Sequence, residues 1–301
     1  MLLKGSSCAR NYPKPELRSA GDIDLLFTED GLKQAVRLLE KEGYIASAQD
    51  HHCHVAMRRD GLVAELHFEP NGIPGGNLGR RLREYLSQAA VNAECADGLP
   101  LMPACPEAVV LLLHKLRHIV TGGLGLRQFC DWAEFVHKKL NPAVWEELKP
   151  LLQSFGIMHF TKLATRLCVD HLGLPKETAP WCLDADPAAV RMLLEDLLRT
   201  GNFGHKEERY GQRLFTDGGK GGRIASLFRV GIQTCRENWS PCREHPILLA
   251  AAPFVLVGRY CLQRCAGKRP PLKIRSMFRA AGQRQELYRE LRPFWNEEDQ
   301  G

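Results

Sequence analysis

Two carboxylates set one residue apart, Asp22 and Asp24, stand in the run Gly21-Asp22-Ile23-Asp24-Leu25-Leu26-Phe27. In an extended strand they share one face, while Ile23 and Leu25 enter the other. Adjacent like charges raise each other's pKa, so the pair needs a cation to neutralise it. A hard divalent ion is the natural candidate, because magnesium is usually held by one or two carboxylates, completed by water and substrate phosphates. Upstream, Gly5-Ser6-Ser7 follows the apolar run Met1-Leu2-Leu3 and Lys4. A sharp turn there would expose backbone N–H groups of the kind that suit a phosphate.

The elements that must position these groups are short strands. Met1 to Lys4 has strand potential, and the runs Cys53 to Arg58 and Leu62 to His67 flank Asp60-Gly61, a strong signal for a two-residue hairpin turn. In the second run Glu65 and His67 share one face, and Ala64 and Leu66 the other. A strand, a glycine-serine turn, a strand with two aspartates and a further strand with one carboxylate follow in that order.

The set Leu3-Lys4-Gly5, Arg18-x-x-Gly21-Asp22-Ile23-Asp24-Leu25 and Glu65-Leu66-His67 resembles the uncharacterised nucleotidyltransferase family of the polymerase-beta-like superfamily. His118, Arg127, Asp131 and Gly201-Asn202-Phe203-Gly204 are further, weaker marks of it, and the resemblance extends over roughly residues 1 to 240, most strongly over the first 70. It implies that Asp22 and Asp24 hold two Mg2+ ions, that Glu65 ligates one of them and accepts the proton of the attacking hydroxyl, and that Gly5 and Ser6 hold a nucleoside triphosphate. Lys4 and Arg18 are expected at the phosphates, or as counter-ions of the carboxylates. Departures from the family pattern are the fifteen residues between Ser6 and Asp22, a Glu at the third carboxylate where Asp is common, and a first strand that begins at Met1 where relatives carry a preceding helical segment.

Other groups read more plainly. His51-His52-Cys53-His54 lacks a second ligand pair at zinc spacing, and strand alternation sends its members to opposite faces, so an exposed strand start is expected. His114 and His118 lie one helical turn apart without the Glu of a zincin motif; His114 reads as packing or surface, His118 as a group behind the site. Gly122-Gly123-Leu124-Gly125 reads as a turn between helices, and Asn71 to Gly76 as a flexible connection. Asp217 to Arg223 has Gly221 where a phosphate loop needs Ser or Thr, and reads as a mobile basic loop.

At 301 residues and 44% hydrophobic content, two domains with buried cores are expected. Eleven cysteines without a Cys-x-x-Cys pair point to thiols in a reducing cytoplasm, and two leucines followed by Lys4 make no signal peptide. The expected class is α+β: a mixed sheet with flanking helices over residues 1–100, then a helical domain over 101–245. Helices are expected over Pro106 to Val120, around Phe129 to Val136, and over Trp145 to Phe155, His159 to Leu172 and Ala188 to Leu198. Residues 246–301 form an apolar, then basic tail. From Arg259 to Arg292 ten Lys or Arg face two Glu, a net of +8, whereas the whole chain carries +6. Pro246 to Val257 is too short to span a bilayer and reads as a buried helix followed by a solvated basic one. The competing reading rests this pair on RNA or an anionic membrane surface. On the enzyme reading the chain moves a nucleoside monophosphate to an unknown acceptor. On the other it is a non-catalytic module of the same fold that docks on nucleic acid or membrane through the tail.

Overall fold

The computed structural model describes residues 1–19, 21–47, 53–121, 124–200, 246–267 and 285–294, together with 232, 235 and 242. His51, His52, Gly122, Gly123, the Gly201 to Gly204 segment, the Asp217 to Arg223 loop and the middle of the basic tail lie outside them.

The first ninety residues build a small sheet from alternating sequence. Strands β1 (Ile23–Leu26), β2 (Ile45–Ala46), β3 (His54–Arg59) and β4 (Leu62–His67) are ordered β1-β4-β3-β2. β3 and β4 form the expected hairpin; Asp60 and Gly61 have φ of 49° and 81°, the two left-handed positions that a tight turn with this twist demands. β1 runs parallel to β4, with Asp24 opposite Glu65. A parallel pair needs a crossover, and the chain supplies it through α2 (Glu29–Lys41), β2 and β3. Thr28 caps α2 by accepting from Gly31 N at 3.2 Å. Leu32, Ala35, Val36 and Leu39 recur at helical spacing and pack on Met57, Ala64 and Leu66 of the sheet.

Met1 to Lys4 is not a full strand. Leu2 makes isolated bridges to Leu25 and Leu101, and Leu3 N donates to Asp24 O at 3.1 Å. Gly5 then turns the chain at φ 65° into α1 (Ser6–Ala9). The connection from Asn71 to Gly76 is closely fitted and not a loose tether: Gly72 has φ 102°, and a Cβ there would run into the Leu113 carbonyl. Such a position admits only glycine.

The helical part comprises α3 (Gly76–Val91), a two-stranded ribbon β5 (Glu94–Ala96) and β6 (Leu99–Leu101), then α4 (Ala104–Thr121), α5 (Leu126–Lys139), α6 (Pro142–Ser154), α7 (Met158–His171) and α8 (Pro187–Thr200). The expected helices are present, and Asn141 caps α6 just before Pro142. One buried cluster joins Leu3 and Cys8 to Leu82, Leu86 and the apolar faces of α4 to α8. Residue 100, the expected boundary, lies inside β6, and this core extends across it.

The tail departs from expectation. Residues Pro246–Ala250 form a 3-10 turn and α9 spans Ala252–Cys265, but Ile247, Phe254, Val257 and Leu262 are exposed, Ile247 by 89%. Apolar composition alone does not bury a segment, and these side chains stay largely in contact with solvent. Beyond it, Leu287 and Leu291 of helical residues 285–291 enter the main core, and His159 Nε2 bonds Glu290 O at 2.9 Å. No helix among the described residues is long and apolar enough to cross a membrane.

Candidate active site

The parallel register of β1 and β4 sets Asp24 and Glu65 side by side, and strand alternation keeps His67 on the same face. His67 Nε2 stands between them, 3.0 Å from Asp24 Oδ1 and 3.3 Å from Glu65 Oε2. Lys4 Nζ reaches the same Oδ1 at 2.7 Å. Asp24 Oδ2 is turned toward the bend at Gly5, where a Cβ would stand 3.8 Å away; the carbonyl of Asp22 would be 3.5 Å from it. Asp22 lies one residue before β1, exposed at the edge of the group. The Gly5 bend therefore adjoins both aspartates, and Glu65 reaches Asp24 through His67.

Charge explains how so many acids share this space. Burial pushes Asp24 up, but the hydrogen bond from His67 and the Lys4 ammonium outweigh it, and its pKa ends below the usual range. Burial likewise opposes ionisation of Glu65, yet His67, His54 and Lys4 hold it lowered. For Lys4, burial is outweighed by Asp24, Asp22 and Glu65, and its pKa is raised. His67 is 1% exposed; burial favours its neutral form, but contacts with Asp24, Cys53 and Glu65 raise it to about 11. Of the three carboxylates only Asp22 is raised, by its partial enclosure at the edge of the group and then by the Asp24 charge. Three carboxylates against two cations leave one net negative charge, with Asp22 as the acid that a further cation would relieve. Asp24, Glu65 and His67 offer ligand atoms all within 4.8 Å of one another.

A second layer holds the approach to Asp22. Arg18 gives Nε and Nη2 to the two oxygens of Asp131 at 2.7 and 2.8 Å, a fork matched to a carboxylate, and Tyr12 donates to Asp131 Oδ1 at 2.8 Å. Arg127 donates to Ser19 O and Oγ at 3.2 Å. The 13–19 segment is thereby clasped to α5. Ser6 is exposed, whereas Ser7 is buried and donates to Glu107 Oε1 at 2.8 Å; Lys139 pairs with Glu107 Oε2 at 2.5 Å. On α4, His114 stacks at a tilt on His118 with centroids 4.3 Å apart. Burial and the charges of Lys4, His118, Lys115 and His67 keep His114 neutral.

Residues 1–173, more than half of the chain, match the sequence model of a family described as uncharacterised nucleotidyltransferase. The chain belongs to that family. No curated protein and no solved structure matches the chain. The nucleotidyltransferase match contains Lys4, Gly5, Ser6, Arg18, Asp22, Asp24, Glu65 and His67, as well as His118, Arg127 and Asp131. It stops short of the roughly 240 residues expected from the sequence, and Gly201 to Gly204 fall beyond it. Family membership marks the chain as a transferase at the coarse level.

Sequence reasoning missed the Arg18–Asp131 clasp and the Ser7–Glu107–Lys139 chain, because the partners lie 113, 100 and 32 residues apart. It also misread the strand start before β3. Cys53 is 0% exposed and His54 half-buried, since Cys53 O accepts from Phe68 N and Glu69 N and seals the end of the hairpin.

Proposed function

We propose that this nucleotidyltransferase moves a nucleoside monophosphate from a nucleoside triphosphate to an acceptor hydroxyl, with release of pyrophosphate and with Mg2+ held by Asp22, Asp24 and Glu65. The single observation that carries the reading is the register of Asp24 against Glu65 beside the Gly5 bend. The donors fit the ion: all are hard oxygens, they retain a net negative charge after Lys4 and His67 are counted, and Asp24 Oδ2 faces the bend. Bound there, paired divalent ions supply charge neutralisation at the phosphates and a more acidic acceptor hydroxyl.

The chain's own residues do the rest by alignment, which supplies most of what phosphoryl-group chemistry asks of a protein. Gly5 and Ser6 bind the triphosphate through backbone N–H groups at the turn, and Lys4 serves both Asp24 and the phosphates. Glu65 stays ionised at neutral pH and accepts the hydroxyl proton. Arg18 acts through Asp131, fixing the segment that delivers Asp22 and not touching nucleotide.

The test incubates the full chain with each labelled nucleoside triphosphate, Mg2+ and a cell extract, and follows pyrophosphate and label transfer. Transfer that disappears in Asp22→Asn, with unchanged circular dichroism, supports the reading. Absence of labelling and of Mg2+-dependent triphosphate binding with all four nucleotides overturns it.

A further inference from the structure

Beside the carboxylates, the hairpin assembles a second donor set of different chemistry. Cys53 Sγ and single nitrogens of His54 and His67 all lie within 4.8 Å of one another. The register that opposes His54 to His67 brings them together, with ring centroids 4.9 Å apart. Cys53, one residue before β3, closes the triangle from the end of the strand. This cross-strand partner is the one that linear spacing in the His51 to His54 run could not supply.

Atomic detail sharpens the set. His54 Nδ1 is 3.6 Å from Cys53 Sγ. Tetrahedral zinc with Zn–S of about 2.3 Å and Zn–N of about 2.0 Å separates sulfur from nitrogen by about 3.5 Å. His67 Nδ1 is buried with no hydrogen-bond partner, and Cys53 Sγ lies within 4.8 Å of a nitrogen of the same ring. The opposite nitrogens of both rings face carboxylates: His67 Nε2 meets Asp24 at 3.0 Å, and His54 Nε2 meets Glu65 Oε1 at 3.6 Å. Metal-binding histidines are oriented in this way, one nitrogen on the ion and the other toward a carboxylate.

The geometry points to a zinc site formed by Cys53 Sγ, His54 Nδ1 and His67 Nδ1, with the fourth position left to water. A thiolate with two imidazoles suits a borderline-soft ion such as zinc and not magnesium. Cys53 binds as the thiolate and both rings as neutral imidazoles. Zinc therefore replaces the thiol proton and the Nδ1 proton of His67, and the local charge is unchanged. His67 keeps its Nε2–H on Asp24 throughout. The site is thus joined to the carboxylate cluster through one ring without competing for its oxygens, and it stands whether or not the chain transfers nucleotides.

The test reads metal and not activity. Full-length protein, stripped by chelator under reducing conditions, is titrated with Co2+ and then Zn2+, followed by thiolate-to-cobalt charge transfer and the ligand-field bands of tetrahedral cobalt. Wild type is expected to bind one equivalent with the thiolate band, displaced by zinc. Cys53→Ser and His54→Gln should each lose that equivalent, weakening zinc by more than the about 100-fold that loss of an outer partner costs. X-ray absorption of the zinc-loaded wild type should show one sulfur and two imidazole nitrogens, and needs no variant to fold. Unchanged stoichiometry and thiolate band in Cys53→Ser, or a zinc shell of oxygens or of several sulfurs, overturns the site. Mg2+-dependent triphosphate binding, measured alongside, is unaffected by that failure.

Discussion

Replacing Asp24 by Asn keeps the shape of the side chain and removes one charge, leaving the Lys4 ammonium and the His67 ring facing a neutral amide. Asp24 is 2% exposed on its side chain, Lys4 15% and His67 1%, so water can do little to compensate. Breaking a buried pair by removing one member costs about 3–5 kcal/mol. The amide oxygen can still accept one hydrogen bond and Lys4 is not wholly enclosed, so we expect about 3 kcal/mol, read as a fall in the urea midpoint in chelator-containing buffer. The pH profile gives an independent check. Asp24 has a folded pKa below its unfolded value, so its contribution is present above about pH 4 and lost as pH falls through the folded value. His67 is raised from 6.5 to about 11, so its contribution is complete below pH 6.5 and declines as pH climbs toward about 11. Asp24→Asn should flatten the wild-type profile at both ends. A double-mutant cycle with Lys4→Met should show coupling of about 0.5–3 kcal/mol. A loss under about 0.5 kcal/mol in Asp24→Asn, with no change in the pH profile, would refute the charge cluster as drawn.

Arg18→Lys keeps the charge but loses the two-pronged contact with Asp131, and should cost about 2 kcal/mol in thermal or urea unfolding; a cost near zero would remove the clasp from the account. Gly72→Ala must relieve both φ 102° and a contact with the Leu113 carbonyl, so a drop of at least about 2 kcal/mol is expected by calorimetry. Glu65→Gln should leave the melting temperature within a few degrees while lowering any measured transfer rate by about 100-fold or more, the usual share of a proton acceptor.

What could be read from the sequence was local. Alternation placed Asp24 apart from Leu25 and Glu65 with His67, and Asp60-Gly61 announced the hairpin, because these signals span a few residues and rest on backbone geometry. The helices after residue 100 showed through apolar spacing. What stayed hidden depends on partners brought from afar: Arg18 pairs with a residue 113 positions away, and Ser7 with one 100 away. His54 meets His67 only through strand register, so the donor triangle with Cys53 had no signature in the run of histidines. The exposed apolar face of α9 is the converse case, where hydrophobic composition promised burial but Phe254, Val257 and Leu262 remain exposed.

Leu3 links two places at once: its backbone N–H holds the carbonyl of Asp24, while its side chain lies in the same buried cluster as α4 to α8. A methylene removed from a remote leucine of that cluster therefore tugs on the strand bearing the acidic groups. In this chain, rigidity in the helices and aim at the site are one mechanical property, and screens for loss of activity will return core positions far from the carboxylates.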